Sequence, residues 1–216
     1  MNYTITLICT FSIVIAAVTG LIRFKKIDQP YQPFLLFIWL SFFNECLSVL
    51  LAYTIRNNVI NNNIFFLLQA LIITWQFNNL KLFGQKHLFP ILLALLSAGW
   101  LSEILIFSSI NRFCSYFIVA HSFFIVLFSI SMLNRLIVNE SIHLLTNSIF
   151  LICIAFIIYF TLAILTEIFW LYGLNESSAF ASNIQRILRY ANLFANLLYA
   201  LAVVWMPARP RFILLS

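Results

Sequence analysis

Glu45 stands near the middle of the apolar run FFNECLSVLLAY, residues 42–53, a setting that restricts what a carboxyl can do. An acid at the centre of a membrane helix costs about 2.5–3.5 kcal/mol to insert, so it marks a proton, cation or ligand site, or a tie between helices. Kept neutral, it can donate a hydrogen bond to a neighbouring amide. Gln69 and Asn196 are the central amides of two other apolar runs. Tyr199 lies three residues past Asn196, and His121 and Tyr159 sit at comparable depth in two further runs. These six are the candidate ligand-binding residues. A second set, Glu103, Glu167, Arg186 and Arg189, falls near segment ends, where opposite charges at one depth suggest ion pairing at the mouth of an outer vestibule.

Helical spacing decides which of these groups share a face. Ser41, Glu45, Ser48 and Ala52 recur at spacings of four, three and four, one stripe of small and polar groups that belongs against another helix. Asn62, Gln69 and Gln76 are each seven apart and nearly aligned, and Arg189, Asn192, Asn196 and Tyr199 follow at three, four and three. If the helices close into a ring, the last lies near the first and second and the third beside the second. Glu45, Gln69 and Asn196 then meet at the midplane. The plainer alternative is that a neutral acid and two amides only hold helices together, at roughly 0.6 kcal/mol per contact.

The elements that must position these residues are membrane spans. The 216-residue chain is 63% hydrophobic and 8% charged, with mean hydropathy +1.03. A soluble domain carries about a quarter charged residues, so a water-facing shell is excluded and the bilayer is the expected partner. With about 20 apolar residues needed per span, seven segments qualify: 3–22, 34–55, 62–80, 88–107, 113–132, 145–171 and 184–206. The stretch NRLIVNESIH is expected along the interface and YGLNESSAFAS as the longest outer loop. Four Gly and five Pro leave little for linkers. The expectation is one all-α, polytopic domain over 1–216, a seven-helix transmembrane bundle. The first segment lacks a basic flank before its apolar run, so it reads as a retained helix rather than a signal peptide. Arg23, Lys25, Lys26, Lys81, Lys86, Arg135, Arg209 and Arg211 fall on one side, against Arg56, Arg112, Arg186 and Arg189 on the other. That asymmetry sets the amino end outside and the carboxyl end in the cytoplasm.

Several chemistries are disfavoured. The net charge of +6 is scattered, without a stripe for nucleic acid. Cys9, Cys46, Cys114 and Cys153 show no metal spacing and read as small apolar groups. The last span has no lysine for a retinal Schiff base. Three dispersed histidines cannot build a zinc site, and His87 and His143 lie too far from His121 for a haem pair, so no metal or cofactor is expected. Ser122 adjoins His121, but consecutive helix residues face apart. No phosphate loop occurs.

Asn44-Glu45 followed by CLSVLLAY, NNNIFFLLQALIITWQF, and the closing NLLYALAVVWMP together resemble a family of small seven-helix inner-membrane proteins of Bacteroidota. The resemblance implies a bundle in a bacterial inner membrane. That pattern carries an acid where this chain has Gln69, and it brings no activity. The leading expectation is small-molecule binding or sensing through a polar midplane cavity, with a separate signalling partner protein. The alternative is a proton- or cation-coupled transporter or channel using Glu45. An intramembrane enzyme ranks last, for want of a nucleophile or metal set.

Overall fold

The computed structural model describes residues 3–107, 109–139, 144–172 and 178–208. Helices α1 (Tyr3–Phe11) and α2 (Ile13–Arg23) form the first long segment, broken at Ser12. Then follow α3 (Gln32–Thr54), α4 (Val59–Asn79), α5 (Leu88–Ser102), α6 (Ser115–Asn139), α7 (Ser148–Leu171) and α8 (Ser178–Trp205). The architecture is all-α, with seven helices long and apolar enough to cross a membrane. By helix composition this is a multi-pass membrane protein.

The ends of the helices follow local chemistry. Asp28 caps a short 3₁₀ turn that feeds α3, and Pro33 fits the first turn of α3, where its missing N–H costs nothing. That moves the start of α3 two residues ahead of its expected position. Asn147 opens α7 by accepting from Ile149 N and Phe150 N at 2.9 and 3.2 Å. The end of α5 widens into a π turn over Glu103–Phe107. Helix α6 continues to Asn139 instead of stopping near 132, so the first part of NRLIVNESIH extends a span. Residues 140–143, which include His143, lie outside the described residues, as do 173–177 of the expected outer loop and Arg209 and Arg211.

Six of the seven spans close a ring, in the order first, second, third, fifth, sixth, seventh, and back to the first. The fourth, α5, packs outside it on α4 and scarcely touches α6. Only 11% of the α5 window is buried, against 44% for α7. The core inside the ring joins Phe34, Phe37, Phe77, Phe156 and Tyr199 to small residues of α2 and α8. We call the end where α1 begins the N face and the opposite end the C face.

Candidate functional site

The seam between α3 and α4 is polar along its whole length, and the seven-residue row on α4 supplies it. Near the N face, Ser48 donates to Asn62 Oδ1 at 3.0 Å, and Asn61 donates to Asn44 Oδ1 at 2.8 Å. Near the C face, Gln76 Oε1 accepts from Phe34 N at 2.9 Å, satisfying an amide in the first turn of α3. Gln69 lies between the two. Ala52, the fourth member of the α3 stripe, is exposed.

At the middle of this seam is a cavity of ≈ 40 Å³. Glu45 and Ser41 line it from α3, Gln69 from α4, Tyr159 from α7, and Asn192, Asn196 and Tyr199 from α8. Gln69 is 4% exposed and Asn196 is 3% exposed. Thus five of the six candidate ligand-binding residues share one space. Thr10 completes it from α1. Asn196 does not bond to Glu45. Its Nδ2 donates to Ser12 Oγ at 2.8 Å, and that hydroxyl donates to Cys9 O at 2.7 Å. The interruption between α1 and α2 is therefore where α8 docks. Among the described residues, the Glu45 carboxyl, the Gln69 amide and the hydroxyls of Tyr159 and Tyr199 make no protein hydrogen bond.

Aromatic rings close the cavity toward the C face. The Tyr199 ring meets Phe34, Phe37 and Phe156 edge-on at centroid distances of 5.4, 5.7 and 5.7 Å. Phe156 also touches Phe77 and Phe160. Such edge-to-face sets favour one arrangement of the rings, each pair worth about 0.5–1.5 kcal/mol beyond burial.

Toward the N face the bundle opens. A cavity of ≈ 820 Å³ is bounded by α4, α6, α7 and α8. Glu167 and Trp170 face it from α7, Arg189 and Gln185 from α8, and Asn62 and Phe66 from α4. Arg189 Nη1 donates to Thr6 Oγ1 at 3.2 Å, tying α8 to α1. Thr166 of this vestibule is seven residues above Tyr159 on α7, about 10 Å at 1.5 Å per residue. On α8, Gln185, Arg189, Asn192, Asn196 and Tyr199 run down one face from vestibule to cavity.

Three sequence candidates lie elsewhere. Arg186 is exposed and does not line the vestibule. Glu103 is buried in the cleft between α5 and α6, where its carboxylate accepts from Tyr116 N at 3.1 Å and Phe117 N at 2.5 Å. It caps α6 at the end where the helix dipole favours an anion. His121, 1% exposed, donates from Nδ1 to Phe117 O at 2.8 Å and stacks on the Phe117 ring at 5.0 Å. Its Nε2 is buried without a hydrogen-bond partner among the described residues.

Asn63 escaped sequence reasoning. Fully buried, it donates to Ile110 O and Arg112 O at 3.0 and 2.7 Å, accepts from Cys114 N at 3.2 Å, and through its own carbonyl receives the Trp100 indole N–H. The run of three asparagines hid which of them faces inward. Asn192 was visible in the α8 stripe, whereas Ser12 and Thr10 carried no signal beyond being small polar residues. Cys46 is exposed, unlike the other three thiols. Among the described residues no three His, Cys, Asp or Glu gather closely enough to hold a metal ion.

Comparison with protein families, with curated proteins and with solved structures finds no match to this chain. No family or relative is thereby identified for this chain.

Proposed function

We propose that this is a carrier or channel of a bacterial inner membrane in which Glu45 holds a proton or a monovalent cation at the foot of a polar column open to the N face. The observation that carries this is the size and lining of the midplane cavity. Pockets for drug-sized ligands measure about 300–1,000 Å³, and this space is ≈ 40 Å³. One water needs about 10–15 Å³, so the cavity suits an ion or a few waters. The Glu45 carboxyl, the Gln69 amide and two phenols converge on this space without a protein partner among the described residues, so an ion or water there can take up their hydrogen bonds. The volume favours the ion reading over organic-ligand sensing at this point of the bundle.

The amino end is assigned to the outside, on the charge asymmetry of the loops. Six Lys and Arg lie toward the C face among the described residues: Arg23, Lys25, Lys26, Lys81, Lys86 and Arg135. Four lie toward the N face: Arg56, Arg112, Arg186 and Arg189. The test is flux in proteoliposomes driven by a pH, sodium or potassium gradient. Wild type should dissipate one of these gradients, and Glu45→Gln should fall to the level of empty liposomes while unfolding at the wild-type temperature. Equal flux in both proteins would remove Glu45 from the mechanism.

A further inference from the structure

Helix α5 stands outside the ring, and the cleft between it and α6 holds a polar atom that the ion site does not use. Leu92, Leu96 and Gly99 of α5 face Phe117, His121 and Phe124 of α6 across a space of ≈ 90 Å³. Among the described residues His121 is the only one lining it with a polar side chain. Leu95 on its rim is exposed, so the cleft opens toward acyl chains. Toward the N face it continues into a wider space of ≈ 490 Å³, which shares Gly99, Phe117 and Ala120 with it. That wider part falls within the range of organic ligand sites, about 300–1,000 Å³.

The imidazole narrows what can occupy the cleft. Its ring packs against those of Phe117, Phe160 and Phe66 at centroid distances of 5.0, 6.0 and 6.2 Å. Phe117 O can only accept, so Nδ1, 2.8 Å away, carries the hydrogen. An unpaired charge this deeply buried is costly, so the ring is neutral and Nε2 is an acceptor. It has no hydrogen-bond partner among the described residues. Water is a poor match, because a buried water needs two to four polar partners and this lining offers one. A ligand with a larger polar head would strand its other groups against Leu and Phe. A single O–H on an apolar body fits. We infer that the α5–α6 cleft binds an uncharged apolar molecule bearing one hydroxyl, drawn from the bilayer, its O–H donated to His121 Nε2 and its body lying along the cleft. The inference goes beyond the ion held by Glu45, and the two cavities share no lining residue.

The experiment uses the full chain in nanodiscs with ¹⁵N-labelled histidine. His87→Gln and His143→Gln together leave His121 as the one histidine, so its Nε2 resonance is assigned directly. Two matched pairs of probes differ in the donor alone: 4-pentylphenol against 4-pentylanisole, and 1-octanol against heptyl methyl ether. At least one hydroxyl probe should shift the Nε2 resonance saturably, in the direction of an acceptor gaining a hydrogen bond. Its ether, read by competition, should bind about fivefold or more weakly, the worth of one neutral hydrogen bond. A Cβ at Gly99 meets nothing within 4 Å, so Gly99→Leu fits the helix and fills the cleft; it should abolish the shift. Glu45→Gln should leave both titrations unchanged, which separates failure at the ion site from failure here. No shift with either hydroxyl probe, equal binding of hydroxyl and ether, or a full response in Gly99→Leu overturns the assignment.

Discussion

The two halves of the bundle, above and below the midplane, treat polar groups differently. Toward the N face, Glu167, Arg189, Gln185 and Asn62 line an open vestibule, and the bonds described for Arg189 and Asn62 run to side chains, those of Thr6 and Ser48; the backbone is served beside it by Asn63 and Glu103. Toward the C face, polar side chains are spent on backbone. Arg23 donates to the carbonyls of Val203, Val204 and Met206 at the end of α8, and Arg135 donates to Lys81 O. Trp39 gives its indole N–H to Ala17 O, and Asp28 N bonds to Pro207 O. Cations at a helix carboxyl end also meet the negative pole of its dipole. One half is thus sealed and the other is open, although each span runs through both. The lesson is that hydropathy locates the spans, while the partner of each polar atom locates the side on which a solute enters.

The sharpest way to break this contrast is to remove the floor. Phe156 is fully buried and touches Tyr199, Phe34, Phe37, Phe77 and Phe160. Phe156→Ala should cost about 3–5 kcal/mol of stability, read as a fall in melting temperature. It should also connect the midplane cavity to the C face. With the four native cysteines replaced, a cysteine at Ser41 should react with Ag⁺, an ion small enough for this cavity, from the N face alone in the parent protein. In the Phe156→Ala background it should react from both. Labelling from both faces in the parent would show that the aromatic set is no barrier.

A second, smaller effect tests the N-face half, whose open vestibule must rest on something rigid. Asn63 organises the turn between α5 and α6 through three side-chain hydrogen bonds. At about 1 kcal/mol net for each bond, Asn63→Ala should lose about 3 kcal/mol. Asn62→Ala, one residue away, loses a single partly buried bond to Ser48 and should cost about 1 kcal/mol. Equal losses would mean that the loop does not depend on Asn63.

Much of this was legible in the sequence, for identifiable reasons. The seven spans follow from long apolar runs, and the polar stripes of α3, α4 and α8 follow from spacing, because a helix fixes which residues share a face. That is why Glu45, Gln69, Asn196 and Tyr199 could be grouped before any coordinates, whereas Tyr159, like His121, was placed by depth alone. His121 and Glu103 could not be placed, since each satisfies a partner set by the tertiary arrangement: a carbonyl one turn back for His121, two amides of the next helix for Glu103. A full ring of seven was a fair expectation from short turns. It failed at α5, whose contacts on α4 pass through Trp100 and Asn63, a pair that no periodicity reveals. Cavity volume is likewise a packing outcome, and it changed the preferred ligand from a small organic molecule to an ion.

Cys114 tests whether the N-face turn is dry beside its open vestibule. Burial, with the Glu103 carboxylate adding to it, pushes the thiol up to about 11 from an ordinary 9.0. A group whose folded value is raised keeps its full contribution to stability below pH 9.0 and loses it as pH climbs toward 11. Maleimide should therefore leave Cys114 untouched at pH 7.5, with Cys114 labelling and a falling melting temperature emerging only above pH 9. Glu103→Gln should move that onset to lower pH by removing the smaller of the two causes. Labelling of Cys114 at pH 7.5 would mean that water reaches the turn.

The smallest effect compares two helix ends, one at each face. Both α3 and α4 stop at a basic residue in the left-handed region, Arg56 and Lys81, each with φ of 58°. An L-residue pays about 1–2 kcal/mol there and glycine pays nothing, although glycine gives back part of that gain through a freer unfolded chain. Substituting glycine at either position should raise stability by less than about 1 kcal/mol. The two ends differ in what else holds them. Lys81 O accepts from Arg135 at 2.5 Å, and Leu82 N bonds back to Phe77 O at 3.0 Å, so the C-face turn is already fixed. Arg56 is exposed and starts the α3–α4 turn at the N face. Arg56→Gly should therefore show the larger gain, because a turn free of such ties can use the added freedom in the folded state, and Lys81→Gly the smaller. Melting curves of the two variants in the same nanodiscs decide it. A larger gain at Lys81 than at Arg56 would indicate that the N-face turn is the stiffer of the two, against the contrast drawn between the halves.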